Sequence, residues 1–215
     1  MSEMILREMA ESLGQVDDLS WGMYAFSRDI LGDKVSEEEK KRMIEHAICC
    51  GYEMADKVMS SMGTWDPWEL AEKLNLKVEY GDKGQIADQV LFALFTPPDR
   101  IQIMKEPIEL AAECGLPEGL LTMDQIERLI LGHEIFHYLE EEDEGIYTRR
   151  ETVVLWRLFG YKSKSTVRAL SEIAGMYFSK KINGFLYSPF ALDILLYYNY
   201  NSNEALKMYR EVLSY

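Results

Sequence analysis

The chain has 215 residues, of which 37 are acidic and 23 basic, giving a formal net charge of −14 that argues against nonspecific binding to nucleic acids or anionic membranes. No apolar run reaches the length of a membrane span, and residues 1–14 lack the basic-then-apolar layout of a signal peptide. The three cysteines are odd in number and badly placed for a disulfide framework, so we expect a reduced, cytoplasmic globular protein.

The first part of the chain is predicted to be helical. A Ser-x-x-Glu capping box at residues 36–39 begins a helix that we expect to reach about Ser61, and Gly63 ends it. We therefore divide the chain into a helical N-terminal layer, residues 1–63, and a functional domain, residues 64–215. The helical pattern of residues 1–63 is equally compatible with a layer that belongs to the same domain as residues 64–215.

A small sheet is predicted next. Asp66-Pro67 begins a short helix, since proline is favoured at the first helical position. Three strands follow, at residues 76–80, 89–96 and 100–104. Pro97-Pro98-Asp99 indicates a turn between the last two strands. The alternation of Ile101 and Ile103 with polar residues favours an edge strand.

The remaining segments are predicted to be mainly helical. A helix over residues 150–159 would be followed by one that Ser165 caps and that Asn183-Gly184 ends. Two last helices would begin at Ser188-Pro189 and Asn201-Ser202. The predicted fold class is α+β and mostly helical, with a small three-stranded antiparallel sheet and extra N- and C-terminal helices.

The strongest functional signal is the H-E-x-x-H pentad from His133 to His137. A T-x-x-Q capping box at residues 122–125 and an apolar stripe at helical spacing precede it, which indicates that the pentad lies on a helix. Because residues four apart share a helix face, the two histidines would direct their imidazoles at one zinc ion. Glu134, offset by one position, would act on a water as the general base.

A catalytic zinc usually has three protein ligands, so a further ligand is expected outside the pentad. His46 is the only other histidine and lies in a separate predicted helix. A metzincin-type continuation would need glycine and histidine where this chain has Glu140 and Asp143. We interpret the acidic run at residues 140–144 as a solvated helix end.

Glu172 is the preferred third ligand. Small residues share its face of the later predicted helix and would let that helix approach the pentad closely: Ala169, Gly175 and Ser179. An ion pair with Arg168, four residues earlier, is the competing role for Glu172. Glu151 is the alternative ligand, because it opens the preceding predicted helix.

Three segments of the chain stand out together: WDPWELAEKLNLKV at 65–78, the HEIFH helix, and SEIAGMYF at 171–178. Through these segments the chain resembles the ImmA/IrrE family of HExxH metallopeptidases over about residues 65–182. The family's later helix carries a second glutamate followed by alanine and asparagine, where Ala174, Gly175 and Met176 stand here. The resemblance implies a gluzincin-like fold, that is, a zincin-like core with an HExxH active-site helix. It also implies zinc, Glu172 as the glutamate ligand, and often cleavage of a transcriptional repressor.

Together these features predict a zinc metallopeptidase of narrow specificity, with a protein or peptide substrate aligned by the strand at residues 100–104. Tyr138, Tyr147 and Tyr177 are candidates to stabilise the oxyanion. The alternatives are a zinc-containing regulatory or protein-binding module without peptidase activity, and a zinc hydrolase acting on a small molecule. Glu134 favours an enzyme over a structural site, because a structural site has no need of it.

Overall fold

A computed structural model describes residues 2–82, 85–86, 89–113, 121–158 and 161–215, and these ranges are mostly helical. The helices are α1 (Ser2–Leu13), α2 (Asp18–Ser27), α3 (Glu37–Met62), α4 (Pro67–Lys73), α5 (Lys105–Glu113), α6 (Met123–Glu142), α7 (Tyr147–Arg150), α8 (Arg168–Ile182), α9 (Phe190–Tyr197) and α10 (Ser202–Val212). The strands are β1 (Lys77–Gly81), β2 (Gln85–Ile86), β3 (Gln89–Val90), β4 (Ala93–Thr96), β5 (Arg100–Met104), β6 (Thr152–Leu158) and β7 (Tyr161–Thr166). No helix in the described ranges is long and apolar enough to cross a membrane.

The N-terminal helices pack directly on the rest of the chain. The predicted start of α3 is confirmed by the capping box of Ser36 with Glu39, and its end is confirmed by Gly63, whose φ is 73°. Helix α3 crosses α8 so closely that a Cβ at Gly51 would lie 2.3 Å from the carbonyl oxygen of Ala174. The two core clusters accordingly combine buried residues from both sides of residue 63.

The main sheet has the order β1-β5-β4 and is mixed, so the prediction of an antiparallel sheet was wrong. Strand β1 runs parallel to β5, with Val78 opposite Ile101, whereas β4 is antiparallel to β5. Strand β5 is therefore central and not the edge strand that we expected. Ile101 and Ile103 are fully buried, and their alternation with polar residues reflects one buried face rather than an edge position.

The prediction of a helix over residues 150–159 was also wrong. Helix α7 ends at Arg150, and β6 then pairs antiparallel with β7. The β-branched residues at the start of β6, from Thr152 to Val154, favour an extended backbone. Phe159, the end of the predicted helix, lies outside the described residues.

Helix α8 is capped from a distant part of the chain. Ser165, the predicted cap, lies in β7 opposite Val153. The backbone N–H of Ala169 instead donates to Asp29 Oδ2 at 2.8 Å, so the segment after α2 holds the first turn of α8. The predicted end of α8 is confirmed by the left-handed Gly184, with φ of 61°.

Candidate metal centre

Helix α6, which carries the pentad, is fixed at both ends. Thr122 and Gln125 form the predicted capping box at its start. The apolar stripe that precedes the pentad is buried, as in Leu129. At the other end, Arg149 Nη1 donates to the carbonyl oxygens of Glu140 (3.1 Å) and Glu141 (2.6 Å). Two of the carbonyls that the last turn leaves unpaired are thereby satisfied.

Helices α6 and α8 approach each other through small residues. Ser179 Oγ donates to the carbonyl oxygen of Leu129 at 2.6 Å, and a Cβ at Gly132 would lie 2.9 Å from Ser179 Oγ. A Cβ at Gly175 would lie 3.0 Å from both Cε1 and Nδ1 of His133. The imidazole of His133 therefore occupies space that exists because residue 175 has no side chain.

The structure brings His133, His137 and Glu172 together. One ligand atom from each of these side chains lies within 4.8 Å of the others. The two Nε2 atoms are 2.9 Å apart, and His133 Nε2 is 3.3 Å from Glu172 Oε2. Ligand atoms about 2.0–2.1 Å from a tetrahedral zinc would be about 3.3 Å apart, and the two separations from His133 Nε2 are close to that value.

The chemistry of the three side chains also fits a catalytic zinc site, since two imidazoles and one carboxylate are a known donor set for such sites. The side chains of His133, His137 and Glu172 are 14%, 21% and 28% exposed. The group is therefore partly exposed, and a site that keeps a position for water has to be accessible to solvent. Nδ1 of His133 is buried without a hydrogen-bond partner in the described part of the chain.

The electrostatics of the metal-free group favour a charged pair. Burial lowers the pKa of His133, but its hydrogen bond and ion pair with Glu172 outweigh burial and raise that pKa to about 9. Burial raises the pKa of Glu172, but His133 outweighs it and lowers that pKa to about 2. Burial raises the pKa of Asp193, on α9, to about 7; His133 opposes this rise and Glu172 adds to it.

Glu134 is buried and held beside the sheet. Its Oε2 accepts a hydrogen bond of 2.7 Å from the backbone N–H of Phe95. In the main sheet, β4 lies at an edge, because β5 is its only hydrogen-bonded neighbour among the described strands. The outer edge of β4 at Phe95 therefore faces Glu134 and the pentad helix.

The alternative ligands lie elsewhere. Glu151 forms an ion pair with Arg42 at 2.6 Å. His46 packs edge-on against Tyr147 at 5.4 Å between ring centroids and lines a cavity of about 530 Å³. Neither residue belongs to the ligand group found among the described residues.

The ion pair that competes for Glu172 is present as well. Glu172 Oε1 accepts a hydrogen bond from Arg168 Nε at 3.1 Å, while Oε2 faces His133.

Two acidic residues near the centre were missed in the sequence. Glu140 was assigned to the solvated acidic run, yet its carboxylate is mostly buried and lies 3.5 Å from His137 Nδ1. Its position three residues after His137, on the same helix face, was the available signal. Asp193 interacts electrostatically with His133 and Glu172, and no spacing in the sequence relates α9 to the pentad.

Comparisons with protein-family models, with curated proteins and with solved structures found no match to this chain.

Proposed function

We propose that the protein is a zinc-dependent metallopeptidase with a zincin-like core, in which His133, His137 and Glu172 hold the metal. The observation that carries the proposal is the convergence of their ligand atoms within 4.8 Å, next to the buried carboxylate of Glu134. The partial exposure of the three ligands supports a catalytic site over a structural one, because structural zinc sites are usually closed by four protein ligands.

A zinc ion in this group would lower the pKa of a water molecule towards neutrality and polarise a substrate carbonyl. Glu134 is the residue that moves the proton. Its carboxylate accepts a proton as water attacks the peptide carbonyl and delivers it to the departing amine nitrogen. The hydrogen bond from Phe95 N to Glu134 Oε2 holds this carboxylate in a fixed orientation.

The substrate would be a protein or peptide in extended form, lying along the outer edge of β4. Backbone groups at an edge strand can pair with an added strand; the N–H of Phe95 already donates to Glu134, so pairing would use the other outward-facing groups of β4. The contact between Phe95 and Glu134 supports this placement, because it brings the outer edge of β4 beside the general base. This proposal replaces the earlier prediction that the strand at 100–104 aligns the substrate, since that strand is central. The ImmA/IrrE resemblance adds a transcriptional repressor as the first protein substrate to test.

The test is the Glu134→Gln variant, with Glu142→Gln as an exposed control on the same helix. We expect about one zinc per chain in the wild type and in both variants, because three ligands are unchanged. Peptide hydrolysis should fall by about 10²–10⁴-fold in Glu134→Gln and stay unchanged in the control. Elemental analysis and hydrolysis of a peptide mixture by mass spectrometry measure the two quantities. Full activity in Glu134→Gln would refute its role as base.

A further inference from the structure

Glu140 lies one turn beyond His137 on α6 and differs from the acidic residues around it. Its side chain is 14% exposed, whereas that of Glu141 is 56% exposed. Burying a carboxylate is costly unless hydrogen bonds replace its hydration. A buried glutamate in an otherwise exposed acidic run therefore indicates a specific set of partners.

Those partners come from two other elements. The hydroxyl of Thr148, on α7, donates a hydrogen bond to Glu140 Oε1. Ser171, at the start of α8, donates to Glu140 Oε2 at 2.5 Å. Burial raises the pKa of Glu140, but the contact with His137 and the hydrogen bonds from Ser171 and Thr148 outweigh burial and lower that pKa.

The same serine also contacts His137. Ser171 Oγ lies 3.2 Å from His137 Nδ1. A hydroxyl has a single proton to donate, and Ser171 donates that proton to Glu140. Ser171 can therefore only accept from His137, so the proton of the neutral imidazole resides on Nδ1. The lone pair of that ring then resides on Nε2, which is the atom that faces His133 and the ligand group.

We propose that Glu140 is a positioning residue that acts through Ser171 to fix the tautomer and the ring orientation of His137 for metal binding. The proposal rests on the metal site proposed above. It assigns Glu140 no contact with substrate. Outer partners of this kind commonly hold metal-binding histidines, and their loss costs about 10–100-fold in metal affinity.

The two histidines of the pentad are held in different ways. Nδ1 of His133 has no hydrogen-bond partner in the described ranges, and its ring is confined by packing against Gly175. Nδ1 of His137 contacts Ser171 Oγ, which donates to Glu140, and it also lies 3.5 Å from Glu140 Oε2 directly. His137 is therefore the ligand whose tautomer the protein sets by hydrogen bonding.

The first experiment uses the metal-free protein labelled with ¹⁵N in histidine. Long-range ¹H–¹⁵N correlation spectra distinguish the protonated from the unprotonated ring nitrogen, and a His46→Gln variant assists assignment. The wild type should show His137 with its proton on Nδ1. In Glu140→Gln the side-chain amide can donate to Ser171, which can then donate to Nδ1, so the tautomer should shift towards a proton on Nε2.

The second experiment measures zinc affinity by competition with a chelator. Glu140→Gln should bind zinc about 10–100-fold more weakly than the wild type. Glu141→Gln removes the same charge from the exposed neighbouring residue and should change affinity less than about threefold, as expected for exposed charges. Ser171→Ala removes the bridging hydroxyl without a change in charge and should also weaken binding, so it provides the test if Glu140→Gln does not fold.

The outcomes separate this proposal from the proposed function. If Glu140→Gln and Ser171→Ala keep both the wild-type tautomer and the zinc affinity of the Glu141→Gln control, the positioning role is overturned. If the wild type binds no zinc, the proposed metallopeptidase fails, whereas the tautomer in the metal-free protein still decides whether Glu140 and Ser171 orient His137. Equal losses of affinity in Glu140→Gln and Glu141→Gln would also overturn the proposal, because they would reflect overall charge.

Discussion

The close contact between Gly175 and His133 gives a sharp test of the proposed metal centre. In Gly175→Ala, the new Cβ would lie 3.0 Å from Cε1 and Nδ1 of the His133 ring. Contacts this short are tighter than ordinary carbon contacts of about 3.5–4.0 Å, so the ring has to move by a few tenths of an ångström. Metal ligands tolerate displacements of about 0.2 Å, and we therefore expect zinc affinity to fall by about 10–100-fold, as for the loss of an outer partner.

The variant should nevertheless fold. Overpacking costs about 1–3 kcal/mol, whereas replacing glycine by alanine inside a helix contributes about 1 kcal/mol of stability. The net loss of about 0–2 kcal/mol is measurable by denaturant unfolding of the metal-free protein. Zinc affinity is measured by chelator competition on the folded variant.

Gly132→Ala is the matched control, because it makes the same change at the same pair of helices. Its Cβ would meet Ser179 Oγ at 2.9 Å and Ile182 Cδ1 at 3.0 Å, and these atoms belong to side chains outside the ligand group. We expect a similar loss of stability with zinc affinity close to that of the wild type. Wild-type affinity in Gly175→Ala, or an equal loss in both variants, would refute the argument that the missing side chain makes room for His133.

Two further predictions concern protons and capping. Because the pKa of His133 is raised to about 9 in the metal-free protein, zinc binding at neutral pH should release about one proton, and the apparent zinc affinity should rise as the pH approaches 9. Calorimetry in two buffers of different ionisation enthalpy measures the proton release. No proton release at neutral pH would contradict the pairing of His133 with Glu172. Asp29→Ala removes the cap on Ala169 N and should lower the free energy of unfolding by about 0.5–2 kcal/mol. The exposed Asp33→Ala is its control, and equal stabilities would show that the cap contributes nothing.

The helix boundaries were largely predictable because their signals are local. The capping boxes at Ser36 and Thr122 and the glycine ends of α3 and α8 are each contained within a few residues. The start of α8 was not predictable in this way. Its cap is Asp29, which lies 140 residues from Ala169 in the chain, and no local pattern reports a contact of that separation.

The sheet was predicted only in part, because pairing is not a local property. Alternation in β5 correctly indicates a strand with one buried face, but it does not state which strands lie on either side. The parallel pairing of β1 with β5 places β5 in the centre. The hairpin of β6 and β7 was missed because a short apolar run that is rich in β-branched residues is compatible with a helix until its partner strand is considered.

The candidate site illustrates the same division between local and distant information. The spacing of His133 and His137 is sufficient to place two imidazoles on one face, and the small residues around Glu172 point to a helix that can approach them. Whether an acidic side chain near such a site is solvated or functional depends on what the rest of the chain brings to it. Glu140 lies among exposed glutamates in the sequence. Its carboxylate is enclosed because Thr148 and Ser171, which belong to other elements, donate hydrogen bonds to it.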